Sequence, residues 1–205
     1  MRRRQFLKYA GAAGLAAALD PGQALAREAK EATVSLKKQR IRLEDGWYYM
    51  LTGGTAFPLS CTYEISIRPD SVGKTMTVIG TVNGAINISL DESGFVIARR
   101  SMAVEGEGGS EAHTVKTCTL KSREPIRAGS WTRIAVTYDC NTMKLYVNGE
   151  LQEEGEGRPN PDHFSLNFLS VGCGLEFLQI PVNHFTGDIR DIRMTGRALE
   201  PEELL

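Results

Sequence analysis

Short runs of alternating apolar and polar residues, each closed by turn-forming residues, constrain this chain more than any other feature. In residues 61–68 every second side chain, beginning with Cys61, is apolar, and Pro69-Asp70 ends the run. Alternation with a period of two places the apolar side chains on one face of a strand. The run therefore predicts a half-buried strand of an antiparallel sheet.

Runs of the same kind recur along the rest of the chain. We predict strands at residues 75–82, 85–90, 95–99, 113–120, 131–138, 143–148, 165–172 and 185–194. Segments rich in Asn, Asp and Gly separate them and predict tight turns, and the Gly- and Glu-rich residues 105–111 predict a loop. No helical period extends beyond one turn that begins at Pro201. Many short strands without helices predict an all-β fold, an antiparallel two-sheet β-sandwich.

The last predicted strand changes its alternation part-way along. Ile189 has one parity, whereas Ile192 and Met194 have the other. One extra residue at Arg190-Asp191, in a β-bulge, would return all three apolar side chains to one face. We therefore predict a bulge at this position.

The amino end has the three parts of a cleavable export signal. A basic stretch precedes an apolar run over residues 9–19, and small residues end at Ala26. The apolar run is too short, and too rich in Ala and Gly, to span a membrane. The basic stretch resembles the twin-arginine motif R-R-x-F-L-K, and its matching residues are Arg3, Arg4, Phe6, Leu7 and Lys8.

This resemblance implies passage through the twin-arginine (Tat) translocase, cleavage after Ala26, and a mature protein that is exported to the periplasm or the extracellular space. We divide the chain into a signal peptide (1–26), a linker or first strand (27–39) and one domain (40–205). Acidic and basic residues are interspersed and the formal net charge is −1, which argues against nucleic acid as a partner. No later apolar run is long enough for a membrane span in the mature protein.

Four cysteines follow the leader, and their spacing contains no C-x-x-C pair and no nearby pair of histidines, which argues against zinc. An oxidising compartment permits up to two disulfides, with three connectivities that the sequence does not separate. The alternative is four buried free thiols, since the predicted export route folds the protein in a reducing cytoplasm. The disulfide candidates are Cys61, Cys118, Cys140 and Cys173.

Two segments carry a resemblance to a known family. Residues 129–139 match the pattern Gly, spacer, Trp, then an alternating strand that ends V-T-Y-D, and residues 145–149 match L-Y-V-(N/D)-G. Residues 185–199 match F-x-G-x-I-x-x-(V/I)-R-I-x-x-R-A-L, with Met194 at an aliphatic position. In order and spacing the sequence resembles the laminin-G-like family over residues 40–205. The resemblance implies a concanavalin A-like jelly roll.

The same resemblance bears on metal binding. Members often have Asp directly after the Ile of the last strand, where it helps to hold a structural calcium. Here that residue is Arg190, and a guanidinium cannot ligate a hard cation. We therefore expect no cofactor, unless Asp188 or Asp191 holds calcium from a neighbouring position.

Aromatic and polar residues near turns are the candidate ligand contacts. Trp47, Tyr48 and Tyr49 would stack on sugar rings, or else pack as ordinary strand residues. Asp139 and Asn141 would contact a ligand, or else cap the tight turn in which they lie.

Three further residues of the matched segments have expected structural roles. Trp131 begins a predicted strand, and we expect its ring in the core, with sugar stacking as the alternative. Arg193 and Arg197 are expected to anchor the last strand and the terminal turn through backbone or carboxylate contacts.

Catalytic patterns are missing from the sequence. A glycoside hydrolase on this fold needs two carboxylates on one strand face, and the pair with suitable spacing, Glu105 and Glu107, is separated by glycine in the predicted loop. The sequence has no G-x-S-x-G motif for a serine nucleophile. We therefore predict that the chain is not an enzyme, although a polysaccharide lyase or hydrolase with an unrecognised site is one alternative.

The resemblance thus favours an exported, non-catalytic binding module whose partner is carbohydrate or another extracellular polymer. A second hypothesis is a structural or adhesion subunit that docks an extracellular protein in an exported complex.

Overall fold

A computed structural model describes residues 5–8, 33–36, 40–52, 60–81, 86–104, 114–156, 168–176 and 180–205. In chain order its strands are β1 (Gln5–Lys8), β2 (Thr33–Leu36), β3 (Ile41–Leu43), β4 (Tyr49–Thr52), β5 (Cys61–Pro69), β6 (Met76–Thr81), β7 (Ile86–Leu90), β8 (Val96–Val104), β9 (Thr114–Lys121), β10 (Thr132–Tyr138), β11 (Thr142–Val147), β12 (Glu150–Glu156), β13 (Phe168–Val171), β14 (Gly174–Glu176), β15 (Ile180–Val182) and β16 (Gly187–Thr195). One 3-10 turn, Pro201–Glu203, follows the last strand.

These strands form two large sheets and one small hairpin. Sheet A has the order β1-β4-β13-β6-β7-β8-β9, and sheet B has the order β12-β11-β10-β5-β16-β2, with β3 also paired to β16. All pairs in the two sheets are antiparallel except β1 with β4. The predicted all-β fold, an antiparallel two-sheet sandwich, is confirmed.

The hydrophobic core lies between the two sheets. Sheet B contributes the apolar side of β5, and the predicted core-facing parity is confirmed because Tyr63, Ile65 and Ile67 belong to the core cluster. The prediction that this strand is only half-buried is wrong, because the polar side chains on its other face are buried as well. Sheet A contributes buried residues such as Ile79 and Ile88. Each fully buried aliphatic side chain of this kind stabilises the fold by about 1.5–3 kcal/mol relative to an exposed one.

The predicted bulge in the last strand is also confirmed. The register of β16 against β5 shifts between Arg190 and Arg193, and Asp191 has a positive φ of 51°. As a result Ile189 and Ile192 both face the core, with 0% and 2% of their surface exposed. Arg190 meanwhile stays in register with a residue of β5 that faces away from the core.

The carboxyl-terminal segment, residues 196–205, covers part of the outer face of sheet B. The side chain of the buried Glu64 accepts hydrogen bonds from the Arg193 guanidinium and from the backbone N of Leu205. Thr62 Oγ1 donates to the Arg197 carbonyl at 2.8 Å and accepts from Leu199 N at 2.9 Å. Even the polar side of β5 is therefore buried along half its length.

Arg193 and Arg197 anchor this segment as expected. Arg193 also donates to the Glu203 carbonyl, and Arg197 holds the Glu203 carboxylate through both Nη atoms, at 2.8 and 2.6 Å.

Several elements differ from the predicted ones. The short strands β3, β4, β14 and β15 have too few alternating residues to be recognised, and β8 continues to Val104, beyond the predicted residue 99. The strand β2 lies within residues 27–39, for which a first strand was one of the two alternatives. The predicted loop 105–111, with Glu105 and Glu107, and the predicted strand residues 165–167 lie outside the described residues. Of the predicted leader, only Gln5–Lys8 is described, as an edge strand beside Tyr49–Thr52, and the signal peptide stays a prediction.

Candidate functional site

The outer face of sheet B carries one row of polar residues that the carboxyl-terminal segment leaves open. In this row Ser66 of β5 pairs with Arg133 of β10 on one side and with Arg190 of β16 on the other. Directly opposed residues of neighbouring antiparallel strands have Cα atoms about 4.5–5.5 Å apart. Two long cationic side chains therefore stand on either side of a short hydroxyl.

A pocket with a volume of about 460 Å³ opens over this row. Residues of three strands, the β10 entry, the β11–β12 turn and the chain end surround it. We call it the Trp131 pocket, and its lining includes Ser66, Trp131, Arg133, Asn148, Arg190, Asp191 and Leu205.

Trp131 forms one wall of this pocket instead of packing in the core. Its ring is half-buried, and the Cζ atoms of Arg190 and Arg68 lie 4.1 and 5.5 Å from the ring centroid. The expectation that Trp131 packs in the core is wrong. The core-facing residues of β10 are Ile134 and Val136, so the parity of the strand itself directs Trp131 to the outer face, and this signal was present in the sequence.

The turn after β11 adds hydrogen-bond donors to the pocket. Asn148 N donates to the Arg133 carbonyl at 2.8 Å, and Arg133 N donates to Asn148 Oδ1 at 2.9 Å. Asn148 has a φ of 53° and Gly149 a φ of 86°, as a two-residue hairpin turn requires. Neither the side-chain NH2 of Asn148 nor the Arg133 guanidinium has an acceptor among the described residues.

Arg190 and Asp191 lie together at the bulge, at the edge of the Trp131 pocket. Arg190 Nε is 3.3 Å from an Asp191 carboxylate oxygen, and the two side chains are 44% and 29% exposed. An exposed ion pair of this kind contributes about 0–1 kcal/mol. Arg190 is therefore held over the indole by weak contacts.

A second charged group lies next to the pocket, around Asp188. Its carboxylate is fully buried, and it accepts hydrogen bonds from Arg40 Nε at 2.9 Å and from Arg68 Nη2 at 2.5 Å. Burial alone would raise the pKa of Asp188, but the hydrogen bonds from Arg40 and Arg68 outweigh burial and hold this pKa below its ordinary value. Nearby, Arg42 binds Asp70 through two hydrogen bonds of 2.7 Å.

This arrangement bears on whether Asp188 or Asp191 can hold calcium. Asp188 is engaged by two guanidinium groups, and Asp191 is paired with Arg190. Within the described part of the chain, no group of three or more His, Cys, Asp or Glu residues is placed to hold a metal ion. Asp188 and Asp191, the alternatives for calcium, therefore have no further His, Cys, Asp or Glu ligands beside them among these residues, and the expectation of no cofactor stays a prediction.

The predicted aromatic contacts lie in another place. Trp47 is 36% exposed in the loop before β4, whereas Tyr48 is 5% exposed and packs with Met50 in a small cluster beside sheet A. Tyr49 packs partly buried against the main core. Of these three, Trp47 presents the most ring surface, and it does not line the Trp131 pocket.

The predicted polar contacts, Asp139 and Asn141, follow the other end of β10. Asp139 Oδ1 accepts hydrogen bonds from the backbone N of Asn141 at 2.9 Å and of Thr142 at 2.7 Å. This carboxylate therefore caps the turn, which was the structural alternative for these residues. The strand β10 separates them from Trp131.

The four cysteines are free thiols in this structure, with Cys61 and Cys173 buried and Cys118 and Cys140 half-buried. Burial raises the pKa of Cys173 to about 12 and raises the pKa of Cys61, although Arg100 donates a hydrogen bond to its sulfur at 3.3 Å. Thiols with raised pKa values are poor nucleophiles at neutral pH.

The described residues include no helix long and apolar enough to cross a membrane. Comparison with protein families gives a match over residues 46–205 to the Concanavalin A-like lectin/glucanases superfamily. No curated protein sequence matches the chain.

Solved structures share the fold at low identity. A carbohydrate-binding module (CBM40) of the Ruminococcus gnavus IT-sialidase, bound to α2,3-sialyllactose, superposes with a TM-score of 0.63 and 19% identity, over 83% of this chain and 95% of that one. The leech intramolecular trans-sialidase with 2,7-anhydro-Neu5Ac gives 0.64 and 18%, over 85% and 27%. Domain 4 of a Geobacillus stearothermophilus extracellular arabinanase, with arabinotriose, gives 0.52 and 20%, over 75% and 68%.

Proposed function

The chain belongs to the concanavalin A-like lectin/glucanases superfamily, and on this premise we propose that it is an exported, non-catalytic carbohydrate-binding module whose ligand occupies the Trp131 pocket. The observation that carries the proposal is one open pocket that combines a half-buried indole, covered by an arginine held through weak contacts, with hydrogen-bond donors that have no acceptor among the described residues. Sugars need both, because their C–H faces pack on aromatic rings and their hydroxyl groups take hydrogen bonds.

The solved structures support the ligand class without determining it. Three of them hold sialyllactose, 2,7-anhydro-Neu5Ac or arabinotriose as the bound molecule. Their identities to this chain are 18–20%, so the particular sugar does not transfer from them. The residues of the Trp131 pocket have to define it.

Arg190 lies over the indole and has to move if a sugar ring is to stack there. The contacts that hold it are a cation–π interaction and an exposed ion pair with Asp191. Each contributes about 1 kcal/mol or less at an exposed position. A stacked sugar offsets a cost of this size, so Arg190 does not prevent binding.

The chemistry of the lining supports a binding function over a catalytic one. Glycoside hydrolysis requires two carboxyl groups that flank the scissile bond. Among the described residues of the pocket lining, Asp191 supplies the sole carboxylate side chain, and it is paired with Arg190. The same lining includes no Tyr or His side chain to act as the base of a lyase.

Affinity electrophoresis and calorimetry of the purified full chain against a broad set of polysaccharides test the proposal. We expect binding that is saturable and that Trp131→Ala weakens at least tenfold. Trp47→Ala is the matched control, because it removes the other tryptophan outside the pocket and should leave the affinity unchanged. Binding that depends on Trp47 and not on Trp131 would show that the site is misplaced.

Three further measurements test the remaining parts of the proposal. Release of reducing ends or unsaturated sugars by the purified chain would replace the binding function with a catalytic one. Co-purification of a stoichiometric protein, together with no binding to any polysaccharide tested, would favour the alternative of a subunit that docks a protein. Fractionation of cells that express the full chain should give a product that is cleaved after Ala26 and lies outside the cytoplasm. The double variant Arg3→Lys, Arg4→Lys should keep the protein in the cytoplasm.

A further inference from the structure

We infer that the Trp131 pocket selects a sugar residue that carries a carboxylate, with Arg133 and Arg190 holding that carboxylate across Ser66. The inference rests on the proposed function, because it names the ligand class of the same pocket. It follows from how the arginines on this side of the molecule are paired.

Of the arginines that lie on the described strands of sheet B, one has no carboxylate partner among the described residues. The four others each lie within ion-pair distance of a carboxylate: Arg42 with Asp70, Arg68 with Asp188, Arg190 with Asp191, and Arg193 with Glu64. Arg133 has no such partner among the described residues, although its side chain is half-buried at the pocket wall. A half-buried cation without a counter-ion is the group that a bound anion would stabilise.

The charge of the pocket points the same way. Among the charged side chains of the lining, the two guanidinium groups of Arg133 and Arg190 outnumber the one carboxylate, that of Asp191. A lining whose side chains carry a net positive charge favours an anionic ligand over a neutral one.

The geometry of the row suits a planar carboxylate. Arg133 and Arg190 both lie next to Ser66 in the sheet register, on opposite sides of it. The short Ser66 side chain leaves room between the two guanidinium forks, and each fork can bind a carboxylate oxygen pair. The free NH2 of Asn148, whose Oδ1 is engaged by Arg133 N, adds a donor for a neighbouring hydroxyl.

The size of the pocket limits how much of a glycan it can contain. A volume of about 460 Å³ lies at the lower end of the range of about 300–1,000 Å³ for small-molecule sites. It suits one acidic sugar with part of its neighbour. Both sialic acids and uronic acids have the required carboxylate on a pyranose ring, and the experiment separates these two sources.

The test uses pairs of ligands that differ mainly in the carboxylate. Calorimetry with the purified full chain compares 3′-sialyllactose with lactose, and polygalacturonate with its fully methyl-esterified form. We expect the acidic member of at least one pair to bind at least tenfold more tightly, with an affinity that falls as salt increases. The pair that shows this difference identifies the sialic or the uronic acid as the source.

Variants of Arg133 then test whether this residue determines the selectivity for the acidic ligand. Arg133→Ala should weaken binding of the acidic member at least tenfold, and Arg133→Lys, which keeps the charge and most of the packing, should lose less. Arg99→Ala is the control, because Arg99 is an exposed arginine on sheet A. Thermal unfolding of each variant checks that the fold is intact.

Each other outcome counts against the inference in a distinct way. Equal binding of both members of each pair would overturn the carboxylate inference and leave the carbohydrate-binding function standing. Binding of neither pair, nor of any other polysaccharide, would overturn both. Acid-selective binding that Arg133→Ala does not change would place the anion elsewhere, and binding of a sulfated polymer alone would replace the carboxylate with a sulfate.

Discussion

The guanidinium carbon of Arg190 lies 4.1 Å from the centroid of the Trp131 ring. This contact shields the indole from water on the face that the pocket exposes. We expect Arg190→Ala to shift the fluorescence of Trp131 to longer wavelength, because the ring becomes more hydrated. The unfolding free energy should fall by about 1 kcal/mol or less, as is usual for an exposed cation–π pair.

The measurement needs a background with a single tryptophan, since the chain contains two. Trp47→Phe supplies it, and both variants are compared in that background by emission spectra and urea denaturation. Arg133→Ala is the matched control, because no cation–π contact joins it to Trp131 in this structure. An unchanged emission maximum in Arg190→Ala would mean that Arg190 does not cover the ring.

Asp188 is the buried acceptor for two arginines, and its replacement should be costly. Asp188→Asn keeps the shape but removes the charge that Arg40 and Arg68 bind. Both arginines are partly exposed and retain access to water, so we expect a loss of about 1–3 kcal/mol of unfolding free energy and no complete loss of the fold. Urea denaturation at neutral pH measures it.

The control for this change is the neighbouring exposed pair. Asp70→Asn removes a carboxylate that Arg42 binds at 2.7 Å, but both side chains of this pair are about 40% exposed. We expect a loss of about 0–1 kcal/mol there. Equal losses for the two variants would show that burial of Asp188 does not determine its contribution.

Gly187 opens β16 at a point where no side chain fits. Its φ is +148°, and a Cβ atom built there would lie 2.3 Å from the backbone oxygen of Arg68. Gly187→Ala should therefore lower the unfolding free energy by about 2–3 kcal/mol, since two paired strands must separate locally. Gly129→Ala is the control, because Gly129 has a φ of +74° but open space around it. The control should lose about 1 kcal/mol from backbone strain alone. Equal losses in thermal unfolding would contradict the steric argument.

Much of the fold could be predicted from parity alone. The alternation in β5 identified the core-facing Tyr63, Ile65 and Ile67, and the change of parity in the last strand identified the bulge at Arg190-Asp191. Both are local properties, because the period of a strand is set by its own backbone. The alternation and the change of parity can therefore be recognised without knowing which strands are neighbours.

The Trp131 pocket could not be predicted in the same way. Arg133, Ser66 and Arg190 are far apart in sequence and meet only because β5 lies between β10 and β16 in one register. Strand order and register depend on tertiary packing, which a single sequence leaves open. The position of Trp131 could have been predicted, because the parity of its strand places it on the outer face. The large ring favoured a place in the core, and that expectation was wrong.

The carboxyl-terminal segment is held by a carboxylate that acid would protonate. The Glu203 carboxylate accepts two hydrogen bonds from Arg197, at 2.8 and 2.6 Å, and one from the backbone N of Glu200 at 3.0 Å. The bonds from Arg197, with the backbone bond second, lower the pKa of Glu203 from 4.5 to about 2. A carboxyl with a lower pKa in the folded state than in the unfolded state stabilises the fold above the unfolded value.

That contribution is present above pH 4.5 and disappears as the pH falls from 4.5 to about 2. Glu203→Gln removes it at every pH, so the urea midpoints of the two proteins should differ at neutral pH and converge below pH about 2. Because Glu203 is exposed, the difference should be small and should shrink in high salt. Glu202→Gln is the control, since its exposed neighbouring carboxylate makes no hydrogen bond to the described residues, and this variant should follow the parent at every pH. A difference between the parent and Glu203→Gln that stays constant down to pH 2 would show that the carboxylate charge is not what holds the segment on sheet B.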